Sequence, residues 1–171
     1  MRAFFFDRDG TIIVNKHYLS TPLGIRFLPC AFDVLRLIQS KGFKLFLITN
    51  QSGVKRGYYS KDRIELIHRE ITLRLMQEKI FITEIAYCEH HPAERCPCRK
   101  PDTLMLKRLL RKYNINPSES YMVGDRKEDI VLGKKFNMKT IFLSNISPLS
   151  TEVSPDYFIC SLCEIPELLN G

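Results

Sequence analysis

Two carboxylates stand directly after an apolar run near the start of the chain. Asp7 and Asp9 follow residues 3–6, Ala-Phe-Phe-Phe, whose length and aromatic content indicate a strand buried on both faces. Residues two apart in extended backbone point the same way, and Gly10 permits a sharp turn after them. Because like charges this close repel, a cation between them would stabilise both. Taken alone, this short pattern also fits a solvated, aspartate-rich turn.

Polar side chains follow three further predicted strands in the same way. Residues 43–48, 82–87 and 120–123 are largely apolar runs, and each indicates a strand. The polar groups beyond them are Thr49 and Asn50, then Arg99 and Lys100 after a cysteine-rich segment, then Asp125 and Asp129. Since the carboxyl ends of parallel strands meet at one edge of a sheet, these groups are expected to converge with the first two carboxylates. Such a set can hold a divalent metal and neutralise a phosphoryl group.

Helical patterns alternate with these strands. Ser60 can cap a helix whose apolar residues Ile64, Ile67, Ile71 and Leu75 recur at helical spacing. Further helices are predicted from residue 29 to 41, from 101 to about 114 and up to about 136, with strands at 140–143 and 157–159. The alternation predicts an α/β fold, a Rossmann-like parallel sheet flanked by helices, with the site at the carboxyl ends of the strands.

A long loop is predicted between the first strand and the first helix, at residues 11–28. It contains Pro22 and Gly24 and has no sustained period of either kind. Long ordered loops beside a candidate site are usually functional. Residues 15–18, Asn-Lys-His-Tyr, offer amide, cation, imidazole and phenol groups that can close over a polar substrate. A surface loop with ordinary polar residues is the alternative interpretation.

Three cysteines and a histidine are closely spaced after the third strand. Cys88-x-His90 and Cys96-x-Cys98 offer three thiolates and one imidazole, which suits a tetrahedral, structural zinc with no open position. The spacing departs from the commoner Cys-x-x-Cys pattern, so incidental thiols stay open as an alternative. His91 competes with His90 for the place of the imidazole ligand.

The other three cysteines are Cys30, Cys160 and Cys163. In a cytosolic chain six cysteines argue against disulfides and toward metal ligands or buried thiols. Cys160-x-x-Cys163 has redox spacing, but it follows a late apolar stretch and lacks a partner pair. Small core residues are therefore the favoured interpretation of these two cysteines.

The composition is that of a globular protein of one domain. A chain of 171 residues, 44% hydrophobic and 26% charged, can bury one sizeable core. It shows no 18-residue apolar run and no signal-peptide pattern, so we expect a cytoplasmic protein. The net charge of +7 attracts anions in general, but the basic residues lack an interleaved aromatic stripe, which favours a solvated surface over a nucleic-acid interface. A monomer is the expected oligomeric state.

Residues 4–11 resemble the first motif of the haloacid dehalogenase (HAD) superfamily of phosphotransferases. The resemblance continues through the polar groups after the other three strands and covers essentially the whole chain. It implies that Asp7 attacks phosphorus to form an aspartyl phosphate. Asp9 would protonate the leaving group and later take a proton from water, while Thr49 and Lys100 would hold the phosphoryl oxygens.

The same resemblance implies a catalytic Mg²⁺. Its protein ligands would be the Asp7 carboxylate, the Asp9 backbone carbonyl and the Asp125 carboxylate, with water and phosphate oxygens completing the shell. Asp129 would orient the lysine or the metal site.

Four segments together resemble one branch of the superfamily, the D-glycero-D-manno-heptose 1,7-bisphosphate 7-phosphatases. They are Asp-Arg-Asp-Gly at 7–10, Thr-Asn-Gln-Ser-Gly at 49–53 with Arg-Gly-Tyr at 56–58, the cysteine segment running into Arg-Lys-Pro, and Gly-Asp-Arg-x-x-Asp from 124. The match implies a capless enzyme with zinc at Cys88, His90, Cys96 and Cys98. The implied substrate contacts are Asn15, Lys16, His17, Tyr18, Asn50, Gln51, Ser52, Arg99 and Arg126.

This branch implies removal of the C7 phosphate of a heptose bisphosphate that serves lipopolysaccharide synthesis. Histidinol-phosphate phosphatases are close relatives that share the short zinc loop, so that loop does not choose the substrate. The context of Arg56-Gly57-Tyr58 and Arg99-Lys100 favours the sugar bisphosphate over histidinol phosphate. A zinc-stabilised nucleic-acid-binding module without turnover is the remaining alternative, suggested by the net charge alone.

Overall fold

A six-stranded, wholly parallel sheet is the centre of the fold in the computed structural model, which describes residues 1–145 and 154–169. The strands are β1 (Ala3–Phe6), β2 (Lys44–Asn50), β3 (Ile82–Cys88), β4 (Tyr121–Gly124), β5 (Lys139–Leu143) and β6 (Tyr157–Ile159). Their order is β3-β2-β1-β4-β5-β6, so the direction of winding reverses between β1 and β4. Ligands of open parallel sheets bind outside the strand ends at such a point. The predicted α/β sheet is confirmed.

Helices cover both faces of the sheet. They are α1 (Ala31–Ser40), α2 (Lys61–Gln77), α3 (Leu104–Lys112), α4 (Lys127–Lys134) and α5 (Ile165–Leu168). Buried residues of α1, α2 and α5 share one core layer, whereas those of α3 and Leu132 of α4 belong to the other. Ser60 caps α2 as predicted, because its side chain accepts a hydrogen bond from the backbone N–H of Arg63. None of the helices in the described part of the chain is both long and apolar enough to cross a membrane.

Two helices begin later than the sequence predicted. Helix α1 starts at Ala31 and not at Pro29, because Cys30 has a left-handed φ of 61° that interrupts helical backbone. Helix α3 starts at Leu104, three residues after Pro101. Proline marks the region of a helix start without fixing its first residue.

Strand β1 lies at the centre of the sheet and is buried on both faces, as predicted. It pairs in parallel with β2 on one side and with β4 on the other, and its three phenylalanines are 0% exposed. Phe4 and Phe6 enter one core layer while Phe5 enters the other, because successive strand residues point to opposite faces. The strand is therefore held rigidly where it delivers Asp7 to the edge of the sheet.

The three cysteines outside the predicted zinc site, Cys30, Cys160 and Cys163, differ from the prediction. Cys30 and Cys163 form a disulfide although they are 133 residues apart, so the expectation that the chain forms no disulfides is wrong for this pair. Helix α1 and the turn that contains Cys163 pack together, which brings the two sulfurs into contact. Cys160 is an exposed free thiol and not a core residue.

Candidate active site

The polar ends of β1, β2 and β4 and the residues before α3 come together around one cleft of about 300 Å³. The predicted catalytic and substrate-contacting residues all line it, namely Asp7, Asp9, Asn15, Lys16, His17, Tyr18, Thr49, Asn50, Gln51, Ser52, Arg99, Lys100 and Arg126. We call Asp7, Thr49, Lys100 and Asp129, which line the cleft, its floor. We include Asp125 in the floor because its carboxylate lies within 4.8 Å of those of Asp7 and Asp129, although it lines a neighbouring cavity. We call Lys16, Arg56, Arg99 and Arg126 its rim.

Lys100 lies at the centre of the floor and is only 4% exposed. Its Nζ donates to Asp7 Oδ1 at 2.8 Å, to Asp129 Oδ1 at 2.6 Å and to the backbone oxygen of Ile48 at 2.7 Å. Burial alone would lower the pKa of Lys100, but the carboxylates of Asp129 and Asp7 outweigh burial and raise it. With all three donors engaged, the ammonium is a fixed positive charge beside Asp7.

The floor carries more negative charge than its lysine can balance. Carboxylate oxygens of Asp7, Asp125 and Asp129 lie within 4.8 Å of one another, against one ammonium group. Oδ1 of Asp125 is buried and has no hydrogen-bond partner among the described residues, and burial, with the nearby charge of Asp7, raises the pKa of Asp125 to about 6. Clustered oxygen donors with an excess of negative charge fit a hard divalent cation.

Gly10 makes room for this carboxylate. A Cβ at Gly10 would lie 2.2 Å from Asp125 Oδ2, and its φ of +82° belongs to the left-handed region. A side chain at position 10 would therefore displace Asp125, which explains the glycine directly after the two aspartates.

Asn50 fixes the backbone of Lys100. Its Nδ2 donates to the carbonyl oxygen of Lys100 at 3.0 Å, and its Oδ1 accepts from the N–H of Lys100 at 3.0 Å. The Asn50 amide, predicted to contact substrate, thus uses two hydrogen bonds to hold the backbone of Lys100 in place. Asn50 still lines the cleft, and its substrate role stays a prediction.

One oxygen of Asp9 is held by three donors. Arg8 donates to Asp9 Oδ2 from Nε at 3.0 Å and from Nη2 at 2.6 Å, and Gln51 Nε2 donates to it at 2.8 Å. Gln51 Nε2 also reaches Thr49 Oγ1 at 2.9 Å. The Gln51 amide, predicted to contact substrate, therefore holds two predicted catalytic side chains, those of Asp9 and Thr49, from the wall of the cleft.

Three residues of this network were missed by sequence reasoning. Arg8 is buried and its Nη1 lies 3.1 Å from Nε2 of His68, a buried residue of α2. The hydroxyl of Tyr59 donates to Gln51 Oε1 at 3.0 Å. The sequence signals one of them: His68 follows Ile64 by four residues and so lies on the apolar face of the predicted α2.

The rim differs from the floor in exposure and in charge. Lys16, Arg56 and Arg126 are exposed and Arg99 is half-buried, and all four line the cleft. Nη1 of Arg99 is buried and lacks a hydrogen-bond partner in the part of the chain that the structure describes. Such a cationic border attracts an anionic substituent that extends away from the floor.

The closely spaced cysteines and histidine converge as one cluster. Cys96 Sγ lies 3.2 Å from Cys98 Sγ, and His90 Nδ1 lies 3.3 Å from Cys98 Sγ and 3.6 Å from Cys88 Sγ. His90, and not His91, is therefore the imidazole that lies in the cluster. His91 instead caps a short turn, its Nδ1 accepting from the backbone of Ala93 at 3.1 Å. Three sulfurs and one nitrogen in mutual contact can hold a metal ion.

Sequence and fold comparisons agree on the kind of protein this chain resembles. It matches the HAD-hydrolase-like family over residues 97–165. It is 31% identical over 179 residues to the D-glycero-β-D-manno-heptose-1,7-bisphosphate 7-phosphatase of Pasteurella multocida, covering 99% of this chain and 97% of that protein. It is 36% identical over 151 residues to the Helicobacter pylori protein of the same name, covering 88% and 87%.

Solved structures show the same fold. The D,D-heptose 1,7-bisphosphate phosphatase of B. bronchiseptica, complexed with magnesium and phosphate, superposes with a TM-score of 0.91 at 22% identity and covers 99% of this chain and 98% of its own. A HAD-like phosphatase from Mesorhizobium loti superposes with a TM-score of 0.87 at 26% identity, covering 99% and 85%.

Proposed function

Since this chain belongs to the HAD-like phosphatase family that contains the heptose-1,7-bisphosphate 7-phosphatases, we propose that it removes the C7 phosphate of D-glycero-D-manno-heptose 1,7-bisphosphate. Enzymes of this family hydrolyse phosphate monoesters. The sugar, and the position at which it is cut, are the parts of the proposal that need a direct test. We also propose that the enzyme acts in the cytoplasm as a monomer.

The observation that carries the proposal is the pairing of the floor with the rim. The floor combines buried carboxylates with the buried Lys100, as needed where a phosphoryl group is transferred. The rim places Lys16, Arg56, Arg99 and Arg126 around the same cleft, which suits a second phosphate on the same substrate. A bisphosphate uses both regions, whereas a monophosphate such as histidinol phosphate leaves the rim without its anion.

In the proposed reaction Asp7 attacks phosphorus and becomes an aspartyl phosphate. Lys100, 2.8 Å from Asp7 Oδ1, balances negative charge as it builds on the phosphoryl oxygens, and Thr49 offers its hydroxyl to them. Asp9 gives a proton to the departing C7 oxygen. In the second half of the reaction Asp9 takes a proton from the water that releases inorganic phosphate.

We propose that Mg²⁺ binds at the floor, held by the carboxylates of Asp7 and Asp125 and the backbone carbonyl of Asp9. The excess of carboxylates over ammonium and the unpartnered Oδ1 of Asp125 support this assignment. When bound, the ion supplies charge stabilisation to the phosphoryl group.

We propose that zinc occupies the cluster of Cys88, His90, Cys96 and Cys98 and has a structural role. Three thiolates and one imidazole complete a tetrahedral shell, which leaves no position for substrate. The cluster ends one residue before Arg99 and two before Lys100, so zinc would hold the segment that delivers a rim cation and the floor lysine.

The direct test is a panel of phosphate esters assayed with Mg²⁺, with phosphorus NMR to identify which phosphate of the heptose bisphosphate leaves. We expect the bisphosphate to be the best substrate, loss of the C7 phosphate first, and histidinol phosphate to be poor. Faster hydrolysis of histidinol phosphate, or loss of the anomeric phosphate first, contradicts the substrate assignment and leaves the phosphatase activity intact. An inert enzyme that binds nucleic acid with a steep salt dependence would instead support the non-enzymatic alternative.

A further inference from the structure

Asp9 is the proposed general acid. Two chains of hydrogen bonds, one through Arg8 and one through Gln51, end on its Oδ2. We propose that His68 and Tyr59 are positioning residues for this acid: acting through Arg8 and Gln51, they hold the Asp9 carboxylate so that Oδ1 alone carries the transferred proton. This inference rests on the phosphatase function proposed above and adds to it a role for two residues that do not touch the reacting atoms.

The two oxygens of Asp9 have opposite surroundings. Oδ2 accepts hydrogen bonds from Arg8 Nε, Arg8 Nη2 and Gln51 Nε2 at 2.6 to 3.0 Å. Oδ1 is buried and lacks a protein partner in the described part of the chain, and Asp9 lines the cleft. An oxygen facing three N–H donors has no direction left for a proton of its own. The proton that Asp9 delivers must therefore sit on Oδ1.

The first chain of bonds runs from α2 through Arg8. The Arg8 guanidinium has donors only, so at 3.1 Å its Nη1 donates to His68 Nε2 and the ring must accept there. Neutral His68 then carries its proton on Nδ1. Burial, followed by the positive charge of Arg8, lowers the pKa of His68 to about 3, which agrees with a neutral acceptor. The ring is also held edge-to-face against Tyr87 at 5.0 Å between centroids.

This first chain fixes a buried cation that needs a partner. Arg8 is 1% exposed; its Nε and Nη2 donate to Asp9 Oδ2, and its Nη1 donates to His68. Removing the acceptor at His68 would leave one buried N–H group of Arg8 without a partner, and the guanidinium would shift to recover one. The Asp9 carboxylate would shift with it, because Arg8 supplies two of its three bonds.

The second chain sets the direction of the Gln51 amide. The Tyr59 hydroxyl donates to Gln51 Oε1 at 3.0 Å, so Nε2 is turned toward Asp9 Oδ2 and Thr49 Oγ1. A flipped amide would place an oxygen against the Asp9 carboxylate and repel it. Gly53 permits this arrangement, since a Cβ there would lie 2.5 Å from the Tyr59 ring.

The proton then follows a defined course. As an Asp7 oxygen forms a bond to phosphorus, the P–O bond to the leaving alcohol breaks and its electron pair goes to the alcohol oxygen. That oxygen takes the proton from Asp9 Oδ1, which leaves Asp9 as a carboxylate stabilised at Oδ2 by Arg8 and Gln51. Water then attacks the aspartyl phosphate and gives its proton to Oδ1, which restores Asp9 and frees phosphate and the Asp7 carboxylate.

The test uses two leaving groups that differ in their need for a proton. One is the alkyl phosphate that the panel above finds to be hydrolysed fastest, whose alkoxide cannot leave unprotonated. The other is 4-nitrophenyl phosphate, whose phenolate leaves without one. We compare kcat/KM, which covers the steps up to departure of the alcohol, for the wild type, His68→Leu, His68→Gln and Tyr59→Phe. Thermal melting establishes that each variant is folded.

We expect His68→Leu to lower kcat/KM for the alkyl ester by about 10- to 100-fold and for the aryl ester by less than about threefold, a share of what a general acid contributes. His68→Gln, whose amide oxygen can accept from Arg8, should recover the alkyl ester to within about threefold of the wild type. Tyr59→Phe, which removes one hydroxyl, should show the same preference for the aryl ester with a smaller loss.

An equal loss on both esters would mean a merely structural role for His68 and would overturn the inference, as would unchanged alkyl turnover in His68→Leu and Tyr59→Phe. Either result leaves the phosphatase proposal standing, because the wild type is active in both cases. A wild type that hydrolyses neither ester overturns the proposed function and this inference with it.

Discussion

The floor and the rim of the cleft differ in the burial and the chemistry of their side chains. Asp7, Thr49, Lys100 and Asp129 are 1 to 5% exposed, and Lys100 ties two of the carboxylates together. The rim is made of long basic side chains, of which Lys16, Arg56 and Arg126 are exposed. A buried, mutually bonded set is preorganised for one step of chemistry, whereas flexible surface cations can adapt to the rest of a ligand. Substitutions in the two regions should therefore have different effects on activity.

The largest expected effect is at the floor. Asp7→Asn removes the proposed nucleophile, so turnover of the heptose bisphosphate and of 4-nitrophenyl phosphate should both fall on the order of 10⁴-fold or more. Asp33→Asn on the surface of α1, where the side chain is 82% exposed, is the matched control and should leave both rates unchanged. Residual activity in Asp7→Asn that favours one ester over the other would break the separation between floor and rim.

Lys100→Met tests whether the floor also contributes to stability. The substitution leaves the buried carboxylates of Asp7 and Asp129 without their ammonium, which should lower the free energy of unfolding by about 3–5 kcal/mol. Lys112→Met, at a lysine that is 60% exposed and paired with Glu84, is the control and should change stability little. Urea denaturation without added Mg²⁺ measures both. Equal stability of the two variants would show that the ion pairs of Lys100 with Asp7 and Asp129 do not contribute to stability.

The cysteine cluster joins the two regions, since it precedes both Arg99 and Lys100. Cys96→Ser should lower the zinc content and reduce Tm by roughly 5–10 °C, as expected for a loss of about 2–3 kcal/mol in a chain of this size. Activity on every ester should fall as the segment loosens. Cys160→Ser, at an exposed free thiol, should retain zinc and Tm. A Cys96→Ser variant with normal zinc content and melting would show that Cys96 neither holds zinc nor stabilises this segment.

The two N-terminal carboxylates and the cysteine cluster could be predicted from sequence because local patterns mark them. Asp7 and Asp9 directly follow a strand whose burial is evident from its composition, and the cysteine cluster lies within eleven residues. The hydrogen bond from Arg8 to His68 spans 60 positions and the disulfide from Cys30 to Cys163 spans 133. No periodicity encodes such contacts, since they depend on how helices dock on the sheet. Likewise, no pattern indicates that the amides of Asn50 and Gln51 bond to the predicted catalytic residues.

The smallest expected effect, and the sharpest test of the rim, is at Arg99. Its guanidinium lines the cleft beside the floor lysine, and its Nη1 lacks a partner within the described residues, so its planar fork is free to bind an oxyanion bidentately. Arg99→Ala should lower kcat/KM for the heptose bisphosphate, by an amount that corresponds to about 1–3 kcal/mol of lost charge-assisted binding. Turnover of 4-nitrophenyl phosphate should stay nearly unchanged, because that ester offers the rim no second phosphate.

Two further variants determine how the Arg99 result is interpreted. Arg99→Lys keeps the charge but loses the fork, and it should fall between Ala and the wild type. Arg95→Ala, an exposed residue of the same segment, removes one positive charge from the protein and controls for long-range attraction of an anionic substrate. If Arg95→Ala and Arg99→Ala lower the rate on the bisphosphate equally, the rim acts as a diffuse field and does not contact the second phosphate. If Arg99→Ala lowers kcat/KM equally for both esters, Arg99 acts on the phosphoryl group at the floor and not on a second phosphate at the rim.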